Sequence, residues 1–195
     1  MSATEDEEAL LGAPERIVEL ALAGARFVHG AVGLLPDQTS DTLPLVDHYL
    51  QLSRAAVQER PELVPLITRS VGAYFGEVLR ARVDGFWILP SDDDQSWRLC
   101  SRAAFLSLSP IGAVYDALFD GAEHPGPSSE LYLDPADRER VEERLAALPE
   151  VRGEDYLLLS TRFDVVEIAL AALQDSAATD GLADVRFGPE DYVAD

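Results

Sequence analysis

The side chains that could carry out acid–base chemistry are few in this 195-residue chain. The histidines are His29, His48 and His124, and none has the HExxH spacing that places two imidazoles on one helix face to bind zinc. His124 lies in a loop rich in proline and glycine, where we expect exposure to solvent. Glu77 is the most interesting carboxylate, because the helical pattern puts it at the edge of an apolar face. There it would either pair with Arg80, three residues later, or be buried and act with His48 in a hydrolase.

Motifs for a nucleophile or a cofactor are missing from the sequence. The chain contains no GxSxG, no GxGxxG and no lysine, so a nucleophile elbow, a dinucleotide loop and a lysine-bearing phosphate loop have no support. Cys100, the single cysteine, ends an apolar segment, where cysteine typically behaves as a small buried hydrophobe. We therefore predict no catalytic residue, no metal site and no cofactor.

The acidic run Asp92-Asp93-Asp94 is the one segment that suggests a cation site. Counted from Asp92, however, an EF-hand loop would need glycine at its sixth position, which is Trp97 here, and glutamate at its twelfth, which is Ala103. The run is therefore interpreted as a solvated turn at the tip of a hairpin. Trp97 is left between two alternatives, core packing and an exposed contact.

Charge is the most unusual property of the chain. Its 36 acidic residues face 15 arginines, which gives a net charge of −21. Residues 121–195 alone carry 18 acids and 6 arginines, a net charge of −12. Such a field repels nucleic acids and anionic membranes and attracts basic proteins, although it also serves solubility alone. We expect a basic protein partner and neither a nucleic acid nor a membrane.

The cellular compartment is predicted from three features. The amino terminus is acidic where a signal peptide is basic, and no apolar run reaches the length of a membrane span, about 18 residues. One cysteine excludes an intrachain disulfide and fits a reducing compartment. These features favour a cytoplasmic protein.

Hydrophobic periodicity and capping residues predict an α+β fold. We expect a small antiparallel sheet of about three to five strands packed against about five or six helices, all in one domain over residues 13–178. A disordered acidic segment, 1–12, precedes it, and an acidic tail, 179–195, follows. The predicted helices cover residues 14–32, 43–56, 61–83, 110–119, 134–148 and 162–177. The predicted strands cover residues 86–90, 96–100, 104–109, 130–134 and 156–160.

Gly72 and Gly76 indicate how the third helix packs. They lie nearly opposite its apolar face, and each costs up to about 1 kcal/mol relative to alanine in a helix interior. That cost is reasonable where another backbone approaches closely, so we expect this helix to be covered on both sides. In the hairpin that follows, Trp87 and Phe86 point to opposite faces of the sheet.

The run VGAYFGEVLR (71–80), followed closely by an aromatic strand and a second tryptophan-bearing strand, resembles bacterial domains of the immunity and accessory type. The resemblance implies a binding role and transfers no functional residue. It supports the first of three hypotheses, a non-catalytic acidic binding protein such as an immunity protein, inhibitor or adaptor. The second is a structural subunit of a larger bacterial assembly, homo- or hetero-oligomeric, and the third is the hydrolase. The candidate partner-binding residues are Asp92, Asp93, Asp94, Trp97, Phe187 and Tyr192.

Overall fold

The computed structural model describes residues 12–148, 152–153 and 155–192 of the chain, and these form a single α+β unit. The predicted segment 1–12 lies outside them except for Gly12. The helices are α1 Glu15–Val32, α2 Leu43–Glu59, α3 Val64–Arg82, α4 Pro110–Phe119, α5 Pro135–Ala146 and α6 Leu159–Thr179. The strands are β1 Gly85–Ile88, β2 Arg98–Ser101, β3 Leu106–Leu108 and β4 Tyr132–Leu133. The predicted fold class is confirmed.

The four strands form one antiparallel sheet in the order β1-β2-β3-β4. The register places Trp87 opposite Leu99 and Phe86 opposite Cys100. Because side chains alternate along a strand, Trp87 and Leu99 point to the inner face, towards the helices, and Phe86 and Cys100 point to the outer face. The predicted facing of the hairpin is confirmed.

Helix α3 is covered on both sides, as its glycines predict. A Cβ atom on Gly72 would lie 2.9 Å from the Cα of Ile111 at the start of α4. A Cβ on Gly76 would overlap the indole ring of Trp87. On another side of the helix, a Cβ on Gly24 in α1 would overlap the carbonyl oxygen of Ser70. Missing side chains thus allow α1, α4 and the hairpin to pack directly against α3.

The start of α6 differs from the prediction. Residues 156–160 are predicted as a strand, but they form the 3-10 turn Asp155–Leu157 and the first residues of the helix. The buried carboxylate of Asp47, on α2, accepts hydrogen bonds from the backbone N–H of Leu159 at 2.6 Å and of Ser160 at 3.2 Å. Burial raises the pKa of Asp47, and the hydrogen bonds from Ser160 and Leu159 oppose that rise. A residue 112 positions earlier therefore caps this helix.

The tail folds back onto the outer face of the sheet. The backbone N–H of Phe187 donates to the carbonyl of Arg102 at 3.1 Å. The hydroxyl of Tyr192 lies 2.6 Å from the carbonyl oxygen of Ser101 and accepts the N–H of Leu106 at 3.1 Å. The described part of the tail is therefore packed on its own domain, whereas the assembly hypothesis expects it to dock into a neighbour.

No helix of the described ranges combines the length and the apolar character that a bilayer span requires.

We predict that Gly24→Ala lowers the free energy of unfolding by about 1–3 kcal/mol, because α1 and α3 must separate to admit the methyl group. Gly30→Ala is the matched control in the same helix, since a Cβ there meets nothing within 4 Å. It should stabilise the protein by up to about 1 kcal/mol through helix propensity. Urea unfolding followed by circular dichroism measures both, and equal stabilities of the two variants would contradict the packing.

We predict that Tyr192→Phe costs about 1–3 kcal/mol, because the N–H of Leu106 and the carbonyl of Ser101 lose their partner. Tyr132→Phe, on an exposed ring, should change little. Burial raises the pKa of Tyr192, so the folded chain keeps this proton above a pH of about 10, where the unfolded chain releases it. The wild-type protein should therefore lose stability above that pH by an increment that Tyr192→Phe lacks. Equal slopes in the two proteins would be evidence against the buried hydroxyl.

Candidate functional site

A cavity of about 670 Å³ lies between α4, α5, α6 and the loop 121–131. We call it the helical cleft. Its apolar lining includes Leu108, Leu131, Leu133, Val141, Leu145 and Val166. Its charged lining consists of Asp116, Glu123, Glu130, Glu142, Arg138 and Arg162. An apolar interior with charged groups on its wall is the usual composition of a binding site.

Local sequence fixes α4 and the loop that covers it. Ser109 accepts the N–H of Gly112 at 3.2 Å and caps the helix, and Pro110 takes the first helical position. A Cβ on Gly112 would lie 2.6 Å from the carbonyl oxygen of Pro127, and a Cβ on Gly126 would overlap the ring of Tyr115. The loop therefore lies directly on the helix, and its polar side chains come within reach of Asp116.

Asp116 accepts three side-chain hydrogen bonds in the wall of the helical cleft. Its Oδ1 lies 2.8 Å from Nε2 of His124, and its Oδ2 accepts from the hydroxyl of Ser129 and, at 3.0 Å, from Nη2 of Arg162. The Nδ1 of His124 accepts the N–H of Gly126 at 3.1 Å, so Nε2 carries the proton given to Asp116. We call Asp116, His124, Ser129 and Arg162 the Asp116 network.

The Asp116 network differs from a nucleophilic triad. In a triad the imidazole stands between serine and carboxylate and takes the serine proton. Here Ser129 donates to the carboxylate itself, and both nitrogens of His124 are engaged, so no imidazole lone pair is free to accept a proton. The network instead joins the loop to α4 and α6 and places an arginine beside a partly buried carboxylate. The Asp116 network therefore holds the wall of the helical cleft in place.

The rim of the helical cleft is acidic. Glu123, Glu130 and Glu142 are exposed, and none of them forms an ion pair within the described ranges. Arg138 is the exposed cation among the lining residues. Tyr156 adds an aromatic ring, 41% exposed, over which the guanidinium of Arg162 lies at 4.4 Å. This arrangement suits a ligand with an apolar body and a cationic group.

The three acids of the hairpin tip are engaged within the chain. Asp92, although fully exposed, pairs with Arg16 at 2.6 Å. The carboxylate of Asp94 is buried and pairs with Arg69. Asp93 accepts the N–H of a residue in the 3-10 turn that follows it. Two of these acids therefore attach the hairpin tip to α1 and α3.

The three aromatic candidates are packed within the fold. Trp97 is completely buried, and its Nε1 donates to the carbonyl of Ser91 at 3.0 Å, so the core alternative holds for this residue. Phe187 and Tyr192 are half-buried and both contact Phe105. The structure brings these last two together on the outer face of the sheet.

Glu77 and His48 make separate contacts. The carboxylate of Glu77, 11% exposed, accepts from Nε of Arg80 at 3.0 Å and from Nε1 of Trp87 at 2.8 Å. His48 is exposed on α2, and no hydrogen bond joins it to Glu77 in the described part of the chain. Glu77 thus makes the structural pairing with Arg80 and also holds the indole that fills the space at Gly76.

The sequence does not single out the members of the Asp116 network. His124 is predicted to be exposed, but its side chain is 12% exposed. The prediction is wrong because Gly126 lets the loop pack on Tyr115, and the imidazole stacks on that ring at 5.2 Å. The presence of two glycines, Gly112 in α4 and Gly126 in the loop, is the signal in the sequence that could indicate this close packing. Nothing in the local pattern joins Arg162 to Asp116.

The described residues contain no group of three or more histidine, cysteine, aspartate or glutamate side chains placed to hold a metal ion. Comparison with known proteins returned no relative: no family model, no curated protein and no solved structure matches the chain. The resemblance to immunity-type domains stays a prediction.

We predict that Asp116→Asn lowers the free energy of unfolding by about 1–3 kcal/mol, since the network loses its anion and keeps three donors. Amide hydrogen exchange in the loop 121–131 should become faster, because the loop is held through His124 and Ser129. Asp120→Asn is the matched control, because Asp120 forms a more exposed pair with Arg54 and asparagine tolerates its left-handed backbone. Unchanged loop exchange in Asp116→Asn would contradict the positioning role.

Proposed function

We propose that this chain is a non-catalytic acidic binding protein that engages a basic protein partner at the helical cleft. The observation that carries the proposal is an apolar floor with a rim of three exposed carboxylates that form no ion pair with a described residue, Glu123, Glu130 and Glu142. The total charge of −21 supports a cationic partner.

Two physical terms would contribute to such a complex. Burial of apolar side chains in a cavity of about 670 Å³ supplies affinity, and long-range attraction by the rim raises the association rate. The ligand best matched to the cleft is an apolar segment that carries an arginine or lysine. Its cation would reach the rim while its apolar side chains cover Leu131 and Val141.

A binding role agrees with the way the candidate catalytic groups are engaged. The imidazole of His124 has no free nitrogen, and the carboxylate of Glu77 is held by Arg80 and Trp87. An immunity protein, an inhibitor or an adaptor in the bacterial cytoplasm is the form of binder that we propose.

A subunit of a larger assembly is the second candidate. It is favoured by Leu34 and Leu35 in the connector between α1 and α2, which are 59% and 62% exposed. Adjacent exposed leucines are typical of a contact surface. In this case the partner would be another subunit, bound away from the helical cleft.

The test compares two triple variants of equal net charge. The cleft variant carries Glu123→Gln, Glu130→Gln and Glu142→Gln, and the control carries Glu19→Gln, Glu59→Gln and Glu62→Gln at exposed positions outside the cleft. We expect the wild-type protein and the control to retain basic proteins from a bacterial lysate at low salt and to lose most of them at high salt. The cleft variant should bind them at least about tenfold more weakly, as expected for several lost charge contacts.

Equal losses in both variants would mean that total charge, and not the cleft, attracts the bound proteins. Retention of nothing by the wild-type protein at either salt concentration would refute the binding role. Co-purification of a second, differently tagged copy, unaffected by salt, would favour the assembly subunit.

A further inference from the structure

The outer face of the sheet contains a second cavity, of about 420 Å³, beside the tail segment that ends at Tyr192. We call it the outer-face cleft. The tail covers Phe86 and part of Phe105, and the cleft occupies the uncovered part of the same face. Since Ser107 and Tyr132 line it, whereas Leu108 and Leu133 line the helical cleft, the two cavities lie on opposite faces of β3 and β4.

The walls of the outer-face cleft are aromatic and held in place. Phe105 stacks on Tyr192 with ring centroids 4.8 Å apart and contacts the edge of Tyr132 at 5.8 Å. The hydroxyl of Tyr192 is fixed by the backbone of Ser101 and Leu106. The outer-face cleft is therefore preformed, which lowers the entropy cost of binding.

Arg98 is the cation of this cleft, and no carboxylate of the described residues pairs with it. Each of the other half-buried arginines pairs with an acidic side chain. These arginines are Arg54, Arg69, Arg80, Arg102 and Arg162. Arg98 forms no ion pair or hydrogen bond through its side chain within the described ranges. A half-buried guanidinium that has no carboxylate partner in the described structure leaves its donors available to a ligand.

From this geometry we propose that the outer-face cleft binds a small monocarboxylate with an aromatic or branched apolar body. The apolar body of the ligand lies between Ile88, Phe105 and Tyr132. The planar guanidinium of Arg98 donates two hydrogen bonds to its carboxylate, as a bidentate pair. The proposal is independent of the partner proposed for the helical cleft.

Two neighbours narrow the ligand class. Asp191 lines the same cleft, and its carboxylate accepts the N–H of Gly188 at 2.7 Å, so a ligand with a second negative charge would be repelled. Cys100 also lines the cleft, and burial raises the pKa of its thiol to about 12. The thiol is therefore neutral and takes no part in covalent chemistry with the ligand.

The test uses phenylacetate and its neutral isostere phenylacetamide as probes on the full chain. We expect phenylacetate to produce saturable changes in the nuclear magnetic resonance signals of the Arg98 side chain and of the backbone amides of Ser96 and Ser107. Phenylacetamide should bind at least about tenfold more weakly, because it lacks the charge that strengthens the bond to the guanidinium.

Arg98→Gln should weaken phenylacetate binding to the level of the amide. Arg26→Gln, at an exposed arginine of α1 without an ion pair in the described structure, is the control and should bind as the wild-type protein does. Absence of saturable shifts in the wild-type protein, or equal binding of the acid and the amide, would overturn the proposal without using a variant. Equal binding by Arg98→Gln and the wild-type protein would overturn it as well.

Discussion

The backbone of α3 is in direct contact with other elements on two sides, and the positions of both clefts follow from those contacts. On one side, Gly24 brings α1 against Ser70. On another, Gly72 admits the first turn of α4, and Gly76 admits the ring of Trp87. Backbone atoms of two elements meet at Gly24 and at Gly72, and the Trp87 ring lies against the helix backbone at Gly76. Such packing leaves little freedom for α4 to shift.

The position of α4 carries through to the binding surfaces. Its first turn packs on Gly72, and its middle presents Asp116 to the loop and to α6. The strand before it, β3, contributes Leu108 to the helical cleft and Ser107 to the outer-face cleft. A shift of this strand–helix unit would therefore alter both cavities at once. The Asp116 network opposes such a shift, because it ties the C-terminal half of α4 to the loop 121–131 and to α6.

Much of this architecture can be predicted from the sequence, because residues that are close together in the chain determine it. Asp134 caps α5 and Ser109 caps α4, as their positions directly before a proline predict. The alternation of side chains along a strand is enough to predict to which face of the sheet Trp87 points. The strand predicted at 156–160 fails because the cap of α6 comes from Asp47, which no local window contains.

The Asp116 network escapes prediction for a related reason. Its members come from α4, the loop and α6, and only the folded chain brings them together. Glu77 shows the opposite case: its pairing with Arg80 is a local helix contact and is visible in the sequence. Candidate sites built from one element can therefore be predicted here, and sites built from three cannot.

The distribution of charge separates carboxylates that hold the fold from those that are available to ligands. Asp92 and Asp94, the most conspicuous acids in the sequence, pair with Arg16 and Arg69 and attach the hairpin to the helices. The rim glutamates of the helical cleft have no such partners in the part of the chain that the structure describes. An acidic run is therefore a poor guide to a binding surface in this protein, because arginines of the same chain neutralise part of it. By the same reasoning Arg98, a half-buried cation that forms no ion pair among the described residues, is the more informative charge.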